Sequence, residues 1–181
     1  SMVLHMDGSS DFRQTHSLNA RLEAMELVTA DSVLHPYDLV VNANLTPELI
    51  QLETLAGDLT LSVSSDQGLD SLLCRFDNVG KELEREIDSL RIQQNVLKAL
   101  LPHLRVELAC GEKNPLSNIL RHTIGYRFRD MSFHAFSSPT EGLNGNGHMY
   151  ALNTGAILLD SIEWRIRQKE SGVSLDACVA N

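Results

Sequence analysis

No stretch of the chain approaches the ~18 consecutive apolar residues that a membrane-crossing helix needs. The N-terminus also lacks the charged-then-apolar pattern of a secretory signal. Cysteine is sparse: Cys74, Cys110 and Cys178 lie far apart, and no CxxC pair occurs. Three scattered cysteines fit a reducing compartment, so the expected location is intracellular, in cytoplasm or nucleus. Positive charge is scarce where it would matter for nucleic acid. Residues 1–101 carry 16 acids and 7 bases, against 4 and 5 in residues 102–141 and 4 and 3 in residues 142–181. The acidic first half repels phosphate backbones and argues against general nucleic-acid binding. Only Arg121, Arg127 and Arg129 offer a local basic site, and three bases in a short run read more simply as solvated surface.

Motifs for chemistry are equally thin. The glycines at 142–147 have no preceding strand and no following Lys-Ser or Lys-Thr, so they do not make a phosphate loop. His103, His122, His134 and His148, with Cys110, show none of the short ligand spacings of zinc sites. There is no GxSxG elbow for a serine nucleophile, and Ser137-Ser138-Pro139 reads as a turn. Glu82 and Glu86 sit one helical turn apart and read as helix surface. The expectation is a protein that is not an enzyme and carries no cofactor or metal.

What is present is apolar periodicity, since hydrophobic residues make up 43% of the 181 residues. Leu69, Phe76, Leu83, Leu90 and Leu97 recur at steps of seven, and so do Leu73, Gly80, Ile87, Gln94 and Leu101. Asp70, Asp77, Glu84, Arg91 and Lys98 flank this seam. The spacing predicts one amphipathic helix over 69–101 with coiled-coil packing, with Gln94 fixing register and Pro102 ending it. Upstream, Thr46-Pro47-Glu48 has the chemistry of a helix start. Leu45, Leu49, Leu52, Ala56, Leu59 and Val63 then step by four and three, which predicts a helix over 46–63. Gly57 interrupts it, and a helix ending there with a short strand at Leu59–Val63 stays open as the alternative.

The rest is read more coarsely. Residues 1–44 are expected to be a flexible arm with a short helix at 17–29, carried by Leu18, Leu22 and Met25 and broken at His35-Pro36. His5-Met6 matches what an NdeI cloning site encodes, so Ser1 to His5 reads as vector-derived. Residues 45–101 form a helical hairpin or coiled-coil region. Residues 102–141 form a small lobe, with a strand from Leu104, a short helix after Asn114-Pro115 and alternation again at Tyr126–Arg129. Residues 142–149 have the composition of a Gly/Asn linker. Two readings of that segment stay open. In one it is an engineered junction and residues 150–181 are a fused partner peptide; in the other it is a native loop before a native last helix. Ala156, Ile157, Leu159, Ile162, Trp164 and Ile166 predict an apolar helix there, followed by a polar tail.

The run from Ile119 through Arg121, Gly125, Tyr126 and Phe128 to Asp130, followed by Phe133, Ala135 and Phe136, resembles the opening of a ribonuclease III-type domain. Gly155-Ala156-Ile157-Leu158 is similar to that family's signature helix. The resemblance covers about a quarter of the chain. It departs at the acidic metal-binding pair, where Ala151 and Gly155 stand, so it implies the fold without nuclease activity.

The fold expected from these patterns is mainly α: a long coiled-coil helix or helical hairpin followed by a small α+β or helical lobe. The expected function is a non-enzymatic protein–protein interaction and oligomerisation module, an adaptor or scaffold subunit of a complex. Its expected grip is Leu69, Leu73, Phe76, Leu83, Ile87, Leu90, Leu97 and Leu101, with Ile162 and Trp164 on a second surface. Its partner would be another protein or a second copy, with nucleic acid and membrane disfavoured. The alternative is a catalytically dead ribonuclease III-like RNA-binding domain.

Overall fold

The computed structural model describes residues 2–11, 15–24, 26–28, 33–34, 37–89, 93–170 and 172–181. Ten strands form one antiparallel sheet, in the order β1-β2-β5-β6-β7-β8-β9-β10-β11-β12. The strands are β1 (Val3–Ser10), β2 (His16–Glu23), β5 (Leu39–Thr46), β6 (Leu49–Ala56), β7 (Leu59–Ser65), β8 (Leu104–Cys110), β9 (Asp130–Ser138), β10 (Gly142–Asn153), β11 (Leu158–Lys169) and β12 (Gly172–Ala180). A two-residue ladder, β3 (Leu27–Val28) with β4 (Val33–Leu34), stands apart from it. Helices α1 (Leu69–Asp88) and α2 (Gln94–Leu100) lie between β7 and β8, and α3 (Pro115–Thr123) between β8 and β9. The mainly helical expectation is therefore corrected: the chain is an antiparallel meander with three helices inserted.

Register explains why the sequence makes a sheet. Side chains alternate faces along a strand, so residues paired across strands share a face. One cross-strand row runs Asp7, Asn19, Asn42, Glu53, Ser62, Glu107, His134, Asn146, Arg165, Asp176. The neighbouring row on the other face runs Leu18, Ala43, Leu52, Val63, Val106, Ala135, Gly145, Ile166, Leu175. Along these two rows one face is polar and the other apolar, the period of two of an antiparallel sheet with one covered face.

The same period accounts for the false helix at 46–63. Two strand periods make a step of four, Leu52 to Ala56. A two-residue turn between paired Ala56 and Leu59 makes a step of three. Alternate fours and threes imitate a heptad, yet the segment is the β6–β7 hairpin. Its turn begins at Gly57 with φ of +64°. That value fits a hairpin turn with glycine at the first central position. Thr46 does act as a local cap, its Oγ1 accepting from the Glu48 N–H at 3.3 Å, but inside the β5–β6 turn.

The other corrections have the same cause. Residues 17–23, expected to be helical, lie in β2, where Leu18, Ala20 and Leu22 alternate onto the apolar face. The expected arm contains β1. The Gly/Asn segment is the first part of β10, and the expected last helix is β11. Glycine there admits close neighbours: a Cβ on Gly147 would sit 2.5 Å from the Trp164 ring. Met25, His35-Pro36, Leu90 and Arg91 lie outside the described residues. The strand expected from Leu104 and the helix after Asn114-Pro115 are β8 and α3, the latter capped by Asn114 Oδ1 accepting from the Ser117 N–H at 2.9 Å.

The expected helix over 69–101 is two helices. At the end of α1, the Ser89 hydroxyl donates to the Glu86 carbonyl at 3.1 Å, a local bond that competes with helix continuation. Gln93, ahead of α2, has φ −100° and ψ 84°, outside the helical region. Gly80 lies within α1 with nothing near the place its Cβ would take. Helix α1 presents its less exposed side, Leu72, Arg75, Val79, Glu82 and Glu86, to the protein. Arg75 Nη1 holds it by donating to the Leu101 carbonyl at 3.2 Å. Its apolar stripe faces outward. Glu86 is only 1% exposed, and among the described residues neither carboxylate oxygen meets a hydrogen-bond donor. A buried unpaired carboxylate is costly. Glu86→Leu is therefore expected to stabilise the fold by about 1–3 kcal/mol, read as a raised urea midpoint with an unchanged slope.

Candidate functional site

On the polar face, β9 and β10 gather the densest set of chemically capable groups. Asp130 and Ser132 are two residues apart on β9 and share a face. Opposite them on β10 stand Tyr150 and His148. The hydrogen bond between the Ser132 hydroxyl and His148 Nδ1 is 2.9 Å long, and His148 Nε2 lies 3.2 Å from Asp130 Oδ1. Tyr150 flanks the imidazole with ring centroids 4.6 Å apart. Its hydroxyl donates to Glu163 Oε1 at 3.3 Å, and Arg129 lies 5.6 Å above its ring. The negative charge of Glu163 raises the Tyr150 pKa above the ordinary phenol value, helped by desolvation and by that hydrogen bond. Arg129 also meets Asp130 at 3.1 Å. All these groups are partly open to solvent.

The β6–β7 turn is tied to the loop before α3 by one carboxylate. Asp58 accepts from the Gly111 and Lys113 N–H groups at 3.1 and 2.9 Å and from Asn114 Nδ2 at 2.7 Å. Partial burial alone would raise its pKa, but these hydrogen bonds outweigh it and lower the pKa. Nearby Cys110 is buried, and desolvation, with the charges of Asp58 and Asp130, pushes its thiol up to about 11. Cys74 and Cys178 are exposed. Because the thiolate is the reactive form, iodoacetamide near pH 8 is expected to modify Cys74 and Cys178 and spare Cys110 until the chain is unfolded. Mass mapping of the alkylated cysteines checks this.

The second feature is uncovered apolar surface. Leu69, Leu73, Phe76, Leu83 and Ile87 are exposed along α1, each at 42% or more. Leu97 on α2 and Leu101 just after it are half-buried, and Leu90 lies outside the described residues. Of the eight residues expected on one helical seam, five thus lie along α1, while Leu97 and Leu101 lie on or beside α2. Ile162 and Trp164 are half-buried on the apolar face of β11. Beside them, the free edge strand β12 exposes Val173, Leu175 and Val179 on that same face.

Few apolar side chains are covered. Among the described residues, the buried apolar side chains are Ile50, Ala56, Leu72, Pro102, Cys110 and Phe128. The accessible surface is 11,709 Å² for a mass of 20.1 kDa. A compact monomer of that mass exposes about 8,700 Å². The chain thus exposes about 3,000 Å² more than a compact monomer of its mass.

Sequence reasoning missed the Asp130–His148–Ser132 arrangement because its members are in register, not in a motif. The available signal was the turn at Ser138-Pro139. Folding the chain back there brings Ser132 opposite His148. Among the described residues, no three His, Cys, Asp or Glu side chains gather as metal ligands. No helix among them is long and apolar enough to cross a membrane. Comparison of the chain with family models, curated proteins and solved structures gives no match. The coiled-coil module is corrected by the sheet itself. So is the ribonuclease III resemblance, whose signature-helix position at Gly155–Leu158 is here the turn into β11.

Proposed function

We propose that this chain is an assembly subunit whose β11–β12 hairpin joins a second copy of itself, sheet edge to sheet edge. The observation that carries the reading is that β12 ends the sheet and exposes Val173, Leu175 and Val179 there. Free strand edges invite pairing, and natural sheets usually protect them with lysine, proline or inward charge. β12 has none of these: its single charged residue is Asp176, paired with Arg167 at 2.7 Å on the polar face.

A second copy suits this edge for two reasons. A two-fold arrangement needs only one self-complementary surface. Charge also permits it. Residues 158–180 carry 4 acids (Asp160, Glu163, Glu170, Asp176) and 3 bases (Arg165, Arg167, Lys169), a balance of −1, although the whole chain carries −9. Two hairpins can therefore meet without the repulsion the net charge implies. Nucleic acid remains a poor partner at that net charge.

Light scattering on the full chain tests the reading. The expected mass is twice 20.1 kDa. A mass of 20.1 kDa at every accessible concentration would overturn it.

A further inference from the structure

We propose that Ser132 is a nucleophile that accepts an acyl group from small neutral esters, with His148 as its general base and Asp130 as the residue that positions His148. This rests on the polar face and is independent of the assembly reading. With a proton on Nε2, His148 donates to Asp130 at 3.2 Å and leaves Nδ1 bare, 2.9 Å from the Ser132 hydroxyl. One tautomer thus serves both contacts, which is the arrangement a serine nucleophile needs. Asp130 in turn holds the imidazole ring in place for that contact.

Ser132 also borders a place for substrate. Directly across from it on β8 is Ala109, whose small side chain leaves the hydroxyl approachable. The groove there measures about 420 Å³ and includes Leu55, Thr60, Glu53 and Glu107 in its walls. The two carboxylates disfavour substrates bearing a carboxylate, whereas Leu55, Thr60 and Ala109 suit a short alkyl or aryl group.

The chemistry balances without a co-reactant other than water. Ser132 Oγ attacks the ester carbonyl and a new C–O bond forms. Its proton passes to His148 Nδ1 and then to the departing alkoxide as the ester C–O bond breaks. Water attacks the acyl-serine, its proton moves through His148, and Ser132 regains its hydroxyl. The products are an acid and an alcohol, with no change of oxidation state. The backbone N–H groups around Ser132 are engaged in ladders to β8 and β10, so no oxyanion hole assists. The rate gain is that of general-base catalysis alone, about 10²–10⁴.

The test is labelling of the full chain with a fluorophosphonate probe, together with the burst of nitrophenol from p-nitrophenyl acetate. The expected result is one phosphonyl adduct, mapped to Ser132 by peptide mass, and absent from Ser132→Ala. His148→Gln should slow labelling about a hundredfold with an unchanged far-UV circular dichroism spectrum. Asp130→Ala should slow labelling at Ser132 and Asp130→Glu should restore it, because a carboxylate again meets His148 Nε2; a merely structural role would give no such rescue. This pair also serves if His148→Gln fails to fold. An aryl ester bearing a carboxylate should react more slowly than the acetate. Folded protein that gives no adduct at Ser132, or labels equally fast in His148→Gln, overturns the proposal.

Discussion

Gly57→Ala is expected to destabilise the protein by about 3–4 kcal/mol, among the largest effects of any single methyl group in this chain. Gly57 has φ of +64°, and an added Cβ would lie 1.9 Å from the Lys113 carbonyl oxygen. Backbone strain alone contributes about 1–3 kcal/mol for a non-glycine residue held there. The clash adds to it, because the Lys113 carbonyl cannot withdraw freely. That carbonyl accepts from the Asp58 N–H at 3.0 Å, and the Lys113 N–H donates back to Asp58 at 2.9 Å. Shifting the loop would also loosen Asn114, the fully buried residue that caps α3. Urea denaturation of the variant should show a lower midpoint with the slope retained. A loss below about 1 kcal/mol would mean that the turn relaxes and that the Asp58 network does not fix the β8–α3 connection.

This turn also shows what was legible in the sequence. Gly57 marks a break in the apolar pattern at 45–63, and the strand at Leu59–Val63 is one of the two readings that pattern allows. The choice fails because steps of four and three arise from a hairpin as readily as from a helix. A hairpin declares itself only through pairing, here Leu52 with Val63 and Ala56 with Leu59. The heptads at 69–88 are a genuine helical signal, and α1 forms there. What spacing cannot give is the side a helix turns inward: α1 buries Glu86 and exposes Leu73 and Phe76, the reverse of its amphipathic pattern. Elements with strong local chemistry were readable. Asn114-Pro115 starts α3 because asparagine caps and proline suits the first turn. Glycine-rich β10 was not readable, because its propensity is poor and its strand state follows from pairing with β9 and β11 on both sides. The polar cluster was hidden for the same reason.

The double variant Leu175→Asp, Val179→Asp is expected to weaken self-association about tenfold or more, since the new carboxylates of the two copies would stand close to one another across the joined edges, where apolar side chains met before. Leu175 and Val179 are 68% and 57% exposed in the monomer, so the substitutions should leave its stability almost unchanged. That separation of assembly from folding makes β12 a sharper place to intervene than the half-buried Ile162 or Trp164. The matching control is Leu83→Asp, Ile87→Asp on the outward stripe of α1. If the sheet edge is the contact, this control keeps the mass of the parent chain.

The most direct measurement is therefore sedimentation equilibrium on three chains: the parent, the β12 double variant and the α1 double variant. The expected masses are twice 20.1 kDa for the parent, 20.1 kDa for the β12 variant and the parent's own mass for the α1 variant. A parent that is monomeric throughout, or an assembly dissolved by the α1 changes and untouched by those in β12, would contradict it.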